Sequence, residues 1–327
     1  MTNEFSRRSL LLSGGAAVLG CIGLGGLTLA SERIRLRKRN SPAGAAGTFW
    51  IGGDFEVNRI GLGTARLGGK QGWGDPGGAR EARAVLRRAI ELGVNFLDTA
   101  DIYGPEFSEQ LIREALHPYP SDLLIATKGG QIRTSSDKFL ELDGRPEHLR
   151  AACEASLRRL KLEQIPLYHM HWPDRNVPYE DSIGELARLQ AEGKIRHIGV
   201  CNVDMALLAK ARSVARIVSV QNRYNVAFRE SENILALCER EKMAFLPYQP
   251  LAQREQAKAE TNDVRVAGLQ GLAEKRHLEM PAATIGWLLT RSPVIIPIPG
   301  TSQVEHLEEN VAAARIRFTR EEMAQIG

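Results

Sequence analysis

The sequence lacks a paired-cysteine framework. Its four cysteines, Cys21, Cys153, Cys201 and Cys238, show no CxxC and no metal-ligand spacing. No metal site is therefore expected, and the thiols read as small buried apolar groups or free thiols. A strong charge of one sign is missing too. The formal charge of +4 comes from 43 Lys and Arg against 39 Asp and Glu. Much of the excess lies in Arg7, Arg8, Arg33, Arg35, Arg37, Lys38 and Arg39, so the remainder is close to neutral. With no basic stripe on the folded part, a nucleic-acid partner is not expected.

What is present is 327 residues with 43% hydrophobic and 25% charged content. That is enough for one large core, and α/β barrels of this size are often single domains. The organising stretch runs from Asn95 to Gly104: a short apolar run ending in Asp98, followed by Tyr103 and a glycine. Before it, Ala79 to Gly93 places Ala82, Val85, Leu86, Ala89, Ile90 and Leu92 on one face and arginines on the other, with Gly93 as a C-terminal cap. Helix, glycine, buried strand and polar strand end make a βα repeat, whose chemistry sits where strands finish.

The pattern continues to the end of the chain. Apolar segments at Arg59–Gly63, Asn95–Leu97, Leu123–Thr127, Ile165–His169, Ile195–Val200, Ile217–Val220, Ala244–Pro247 and Val294–Ile298 predict eight strands. Helical patterns fall between them: Ala79–Leu92, Ser108–Leu116, Pro146–Leu160, Tyr179–Glu192, Met205–Ser213, Glu230–Glu241, then Asp263–Lys275 with Pro281–Thr290, and a last helix at Val304–Ala313. The fold class is α/β, a (β/α)8 TIM barrel over residues 48–327. A small N-terminal β-hairpin at Phe49–Val57, turning at Gly52-Gly53-Asp54, is expected to stop the bottom of the barrel.

The first 47 residues stand apart. Ser6-Arg7-Arg8-Ser9-Leu10-Leu11-Leu12 leads an uncharged run, Leu10–Ser31, and resembles a twin-arginine export signal with Thr28-Leu29-Ala30 as a cleavage site. Residues 1–31 are thus expected to be the signal, engaging export machinery and giving a periplasmic or cell-envelope protein. Two other readings compete. The run is just long enough to span a bilayer, and the basic residues Arg33 to Arg39 outnumber Arg7 and Arg8, which favours an anchored domain facing the cytoplasm. Val18-Leu19-Gly20-Cys21 is a weak lipobox. Residues 32–47, basic and then rich in Ala and Gly, read as a linker.

Four polar groups converge on the mouth of the predicted barrel. Strand two offers Asp98 and Tyr103, strand three ends at Lys128 before Gly129-Gly130, and Tyr168-His169-Met170-His171 is halted by Pro173. Each alone has a plain structural explanation: an N-cap, a solvated charge, a hydrogen-bonded core histidine. Together they make a proton donor. A free tyrosine has a pKa of about 10, and a neighbouring ammonium favours its phenolate and is expected to lower that value. Asp98 would hold Lys128 charged, and His171 would hydrogen-bond a substrate carbonyl or the phenol.

From Ile60 onward the sequence resembles the aldo-keto reductase superfamily. The resemblance rests on Asp98-Thr99-Ala100-Asp101-Ile102-Tyr103-Gly104, Thr127-Lys128, His171-Trp172-Pro173, Gly199-Val200-Cys201-Asn202, Val220-Gln221-Asn222, Pro247-Tyr248-Gln249-Pro250-Leu251, and Ile298-Pro299-Gly300-Thr301 through Glu309-Asn310. It implies a catalytic tetrad of Asp98, Tyr103, Lys128 and His171, with reversible reduction of an aldehyde or ketone by NADPH. It also implies a cofactor site. Asn202 and Gln221 match residues that hold the nicotinamide carboxamide, and Tyr248, followed by Pro250 and Leu251, matches the stacking aromatic. Gly300, Thr301, Ser302 and His306 fall at the phosphates, and Glu309 and Asn310 at the adenine. Cys201 and Gln249 stand where serine is common. Many members place a basic residue at the position of Gly300 and an arginine at that of His306; here hydroxyls, the helix N-terminus and His306 would answer the 2′-phosphate instead, so NADP is expected with NAD possible.

The segments Gly104–Gly129 and Ile298–Ala313 look most like a bacterial subgroup that includes pyridoxal reductases. That implies an aromatic or heteroaromatic aldehyde. Trp73, Ile102 and Trp172 would form apolar walls of the mouth, unless they only pack its rim. Some relatives use the barrel as a non-turnover NADP-binding sensor or an accessory subunit of a membrane protein. The complete tetrad argues for an enzyme.

Overall fold

The computed structural model describes residues 40–68, 78–104, 106–133, 140–251 and 263–327. The expected signal, residues 32–39 and Trp73 lie outside the described residues.

A hairpin of β1 (Thr48–Ile51) and β2 (Phe55–Asn58) precedes the barrel strands. It turns through Gly52 and Gly53, at φ 66° and 91°, where a side chain would be strained. The barrel strands are β3 (Leu62–Gly63), β4 (Phe96–Asp98), β5 (Leu124–Gly129), β8 (Ile165–Met170), β9 (Ile195–Cys201), β10 (Ile217–Gln221) and β11 (Ala244–Phe245). They form one parallel sheet in the order β11-β10-β9-β8-β5-β4-β3. Such strands read as near-continuous apolar runs because both faces are covered.

The eighth expected strand, Val294–Ile298, is present as bridging contacts rather than a regular strand. Ile295 bridges Phe245 and Gly300 bridges Gly63, so the sheet closes on itself. The reason is chemical: Pro297 and Pro299 have no N–H to donate to a ladder. Their carbonyls instead accept from Gly61 N at 2.9 Å and Gly63 N at 3.3 Å.

Helices cover the outside. In Ala79–Glu91 the buried residues Ala82, Val85, Leu86 and Ala89 follow the 3.6-residue period. Full burial of side chains such as Leu86 contributes about 1.5–3 kcal/mol each. The helix is followed by Gly93 at φ 86°, where a Cβ would also lie 2.0 Å from Ser41 Oγ. The close approach exists because the end of the expected linker is packed, not free. Ala43–Ala46 forms a 3-10 turn with Ala43 and Ala46 buried, and Ala43 N donates to Leu92 O at 3.0 Å. Two further elements were not expected from the sequence. A small hairpin of β6 (Gln131–Arg133) and β7 (Leu140–Leu142) extends β5 beyond the mouth, and a helix at Arg320–Ile326 follows a capping box between Thr319 and Glu322.

Beneath the mouth, Ile51 and Val57 of the hairpin join Phe96, Leu124, Ala126, Leu167, Val218, Ala244, Leu246, Ile296 and Ile298 in one buried cluster. Phe96 and Leu124 begin their strands, so the hairpin plugs the N-terminal end and leaves the C-terminal end for chemistry.

Candidate active site

Asp98 is the last residue of β4, and the following loop is tied back to β5. Thr99 N donates to Ala126 O at 2.8 Å and Asp101 N to Lys128 O at 3.3 Å. A turn from Ala100 to Tyr103 and the left-handed Gly104, at φ 72°, bring Tyr103 over Lys128. The ammonium donates to Asp98 Oδ1 at 2.6 Å, Thr99 O at 2.7 Å and Tyr103 Oη at 3.4 Å. All three of its donors are used. The Lys128 side chain is 0% and that of Asp98 3% exposed, so this pair is tolerated only because each charge is fully answered. Asp98 Oδ2 accepts from Gln221 Nε2 at 2.7 Å.

Burial disfavours the ammonium, but Asp98, Tyr103 and Cys201 together outweigh it and hold the Lys128 pKa above its ordinary value. The tyrosine departs from expectation. Burial raises the Tyr103 pKa, and the opposing pull of Lys128 is too weak to bring it below the ordinary value. Tyr103 is thus a neutral phenol near neutrality, which is the form that donates a proton.

His171 follows β8; its N–H donates to Gly129 O at 2.9 Å and its carbonyl accepts from Asn202 Nδ2 at 3.0 Å. Its ring meets that of Tyr103 edge-on, with centroids 6.0 Å apart. Burial and then Lys128 hold its pKa well below the usual histidine range, so the imidazole is neutral. Nδ1 is buried without a partner among the described residues. His169, one step down the same face, is the core histidine: its Nε2 lies 2.9 Å from Ser219 Oγ, and burial and Lys128 push its pKa down to about 3.

The other expected site residues lie along the ends of the neighbouring strands. Asn202 directly follows β9 in the left-handed conformation, at φ 57°, one that asparagine tolerates. Gln221, expected at a carboxamide, is engaged by Asp98 here. Tyr248 is half-buried, its N–H bonded to Asn222 O at 3.1 Å; Pro250 is buried and Leu251 half-buried. Gly300 touches Gly63 across the seam, where a Cβ would fall 2.9 Å from Gly63 O. Thr301 is buried, with Oγ1 accepting from Gln303 N at 3.1 Å, while Ser302, His306 and Glu309 are exposed and Asn310 is buried. The helix Val304–Ala312 starts there with no side-chain cap. Trp172 is 41% exposed, and Ile102 is 6% exposed. Cys153, Cys201 and Cys238 are buried free thiols.

A closed parallel barrel thus carries a buried Lys–Asp pair beneath a tyrosine and a neutral histidine. The chain belongs to the aldo/keto reductase family, whose model matches residues 59–327. It is 42% identical over 284 residues to an uncharacterized oxidoreductase of Schizosaccharomyces pombe, covering 87% of this chain and 90% of that one. It is 36% identical over 288 residues to pyridoxine 4-dehydrogenase of Escherichia coli, covering 86% and 98%. Among solved structures, an aldo/keto reductase from Klebsiella pneumoniae in complex with NADP and acetate superposes with a TM-score of 0.72 at 25% identity, covering 85% of this chain and 93% of that one.

Proposed function

We propose that this chain reduces an aldehyde or ketone with NADPH, and that its substrates are aromatic or heteroaromatic aldehydes of the pyridoxal class. The observation that carries the reaction is the line Asp98, Lys128, Tyr103, closed by contacts of 2.6 and 3.4 Å. The residues present fit a dinucleotide. Two amides, a half-buried aromatic and an uncapped helix start lie on successive strand ends, matching an amide-bearing ring at one end and a phosphate at the other. When bound, the nicotinamide supplies the hydride to the carbonyl carbon.

The chain's own groups do the rest. Tyr103 Oη gives its proton to the carbonyl oxygen as negative charge develops there. Lys128 stabilises the phenolate left behind, and Asp98 keeps Lys128 charged and in place. Neutral His171 offers one N–H to the same oxygen and orients it. The substrate class rests on the likeness to pyridoxine 4-dehydrogenase and on the exposed Trp172 ring at the rim.

The test is oxidation of NADPH, followed by absorbance, against an aldehyde panel that includes pyridoxal. Tyr103→Phe is expected to lower turnover by about 10²–10⁴-fold while NADPH binding stays within about twofold of wild type. Full activity in that variant would remove Tyr103 from the proposed role. A separate proposal concerns residues 1–31, read as a twin-arginine signal. A folded reporter fused to residues 1–45 should lose export when Arg7 and Arg8 become Lys, and unchanged export refutes that reading.

A further inference from the structure

The loop Gly300-Thr301-Ser302 presents hydroxyls and a helix start but no cation of its own. His306, the nearest titratable base on the helix, is exposed and follows Glu305. A second element enters this space from the other end of the chain. Residues Ala65–Gly68 form a 3-10 turn directly after β3, and β3 is the strand that touches Gly300 through Gly63. Arg66 on that turn is exposed, and its Cγ lies 3.8 Å from where a Cβ at Gly300 would stand. No ion pair joins Arg66 to a described residue, whereas Arg88, on the helix Ala79–Glu91, is engaged by Glu91 and Glu308.

We infer that Arg66 supplies, from across the barrel seam, the positive charge that recognises the ribose 2′-phosphate of the cofactor. This rests on the NADP reading above. The stem of Arg66 runs beside position 300, its Cγ at ordinary contact distance from where a Cβ there would stand, so the last loop, which has no cation of its own, has one alongside it. Its guanidinium meets a dianionic phosphate with two parallel N–H donors, while Thr301, Ser302 and the helix start complete the cradle. Because it meets the 2′-phosphate and not the shared pyrophosphate, its contribution is confined to cofactors that carry the extra phosphate.

The experiment is equilibrium binding to the full-length chain. Calorimetry with 2′,5′-ADP and with 5′-ADP isolates the phosphate, and nicotinamide fluorescence gives NADPH and NADH affinities. Arg66→Ala should weaken 2′,5′-ADP and NADPH roughly tenfold or more, since a hydrogen bond to a charged partner is of that size. 5′-ADP and NADH should move less than about twofold, and Arg66→Lys should recover part of the loss. Equal weakening of both cofactors would place Arg66 at the shared pyrophosphate and overturn the inference. No change in either would overturn it as well, with the NADP reading intact. A wild-type chain that binds neither NADPH nor 2′,5′-ADP removes the reading on which the inference stands.

Discussion

The two ends of the barrel hold the same kind of arrangement, an acid gripped by a cation beside an aromatic ring. At the mouth Asp98 grips Lys128 beneath Tyr103, with side chains 3% and 0% exposed. At the bottom Asp54, on the hairpin turn, accepts from His197 Nε2 and Arg196 Nε, both at 2.7 Å, with Phe55 edge-on to the histidine. There Asp54 is 33% and Arg196 48% exposed. Partner chemistry is alike at the two ends; access to water differs. At the bottom, water shares the charge and the cluster fastens a hairpin. At the mouth only protein groups answer the charge, so the pair can govern the protonation of a tyrosine.

Substitutions at matched positions test that difference. The largest effect is expected from Asp98→Ala. It leaves Lys128 charged and buried without its carboxylate, so unfolding stability in urea should fall by about 3–5 kcal/mol, with loss of carbonyl-dependent NADPH oxidation. A stable, active variant would mean that the mouth pair is no more demanding than the surface one.

A smaller effect is expected at Asp101, in the loop between the pair and Tyr103. Burial, then Glu109, push its carboxyl up to about 8, and Oδ1 has no partner among the described residues. A carboxyl raised on folding binds more protons in the folded than in the unfolded chain. Its stabilising contribution is complete below the ordinary carboxylate range and is lost as pH rises toward about 8. Asp101→Asn should flatten the fall of melting temperature across that interval; an unaltered slope would assign it to other groups.

The smallest effect belongs to Asp54→Asn at the bottom. Burial pushes this carboxyl up, but the bonds from His197 and Arg196 outweigh it and hold its pKa below the ordinary value. The sign is the reverse of Asp101: the contribution is present above the ordinary carboxylate range and is lost only as pH falls through the lowered value. At neutral pH the change should cost about 0–1 kcal/mol and leave turnover untouched. A loss comparable to that of Asp98→Ala would erase the distinction between the two ends.

The positions of Asp98, Tyr103, Lys128 and His171 at strand ends could be read from residue order, because strand ends are marked by apolar runs and by Gly or Pro. Burial could not be read that way. The lysine was expected to lower the Tyr103 pKa, and the structure gives desolvation the larger share. The proximity of Arg66 to Gly300 was hidden for another reason: it joins opposite ends of the chain, and no local pattern records it. The helix Arg320–Ile326 was legible from Thr319-Arg320-Glu321-Glu322, which is a capping-box signature, although the periodic reading stopped at Ala313. The eighth strand was overdrawn because an apolar segment with one proline inside it and another just after can fill a gap in a sheet without building a ladder on both sides.

The seam at Gly61, Gly63, Pro297 and Pro299 also sets a timetable for biosynthesis. β3 emerges from the ribosome early, whereas its closing partner is made only after almost every other strand. Until then β3 is an exposed edge, open to pairing with another nascent chain. Closure is therefore a late, long-range event in folding, and a message cut short before residue 294 would yield a chain whose β3 is paired with β4 alone and keeps its other edge open.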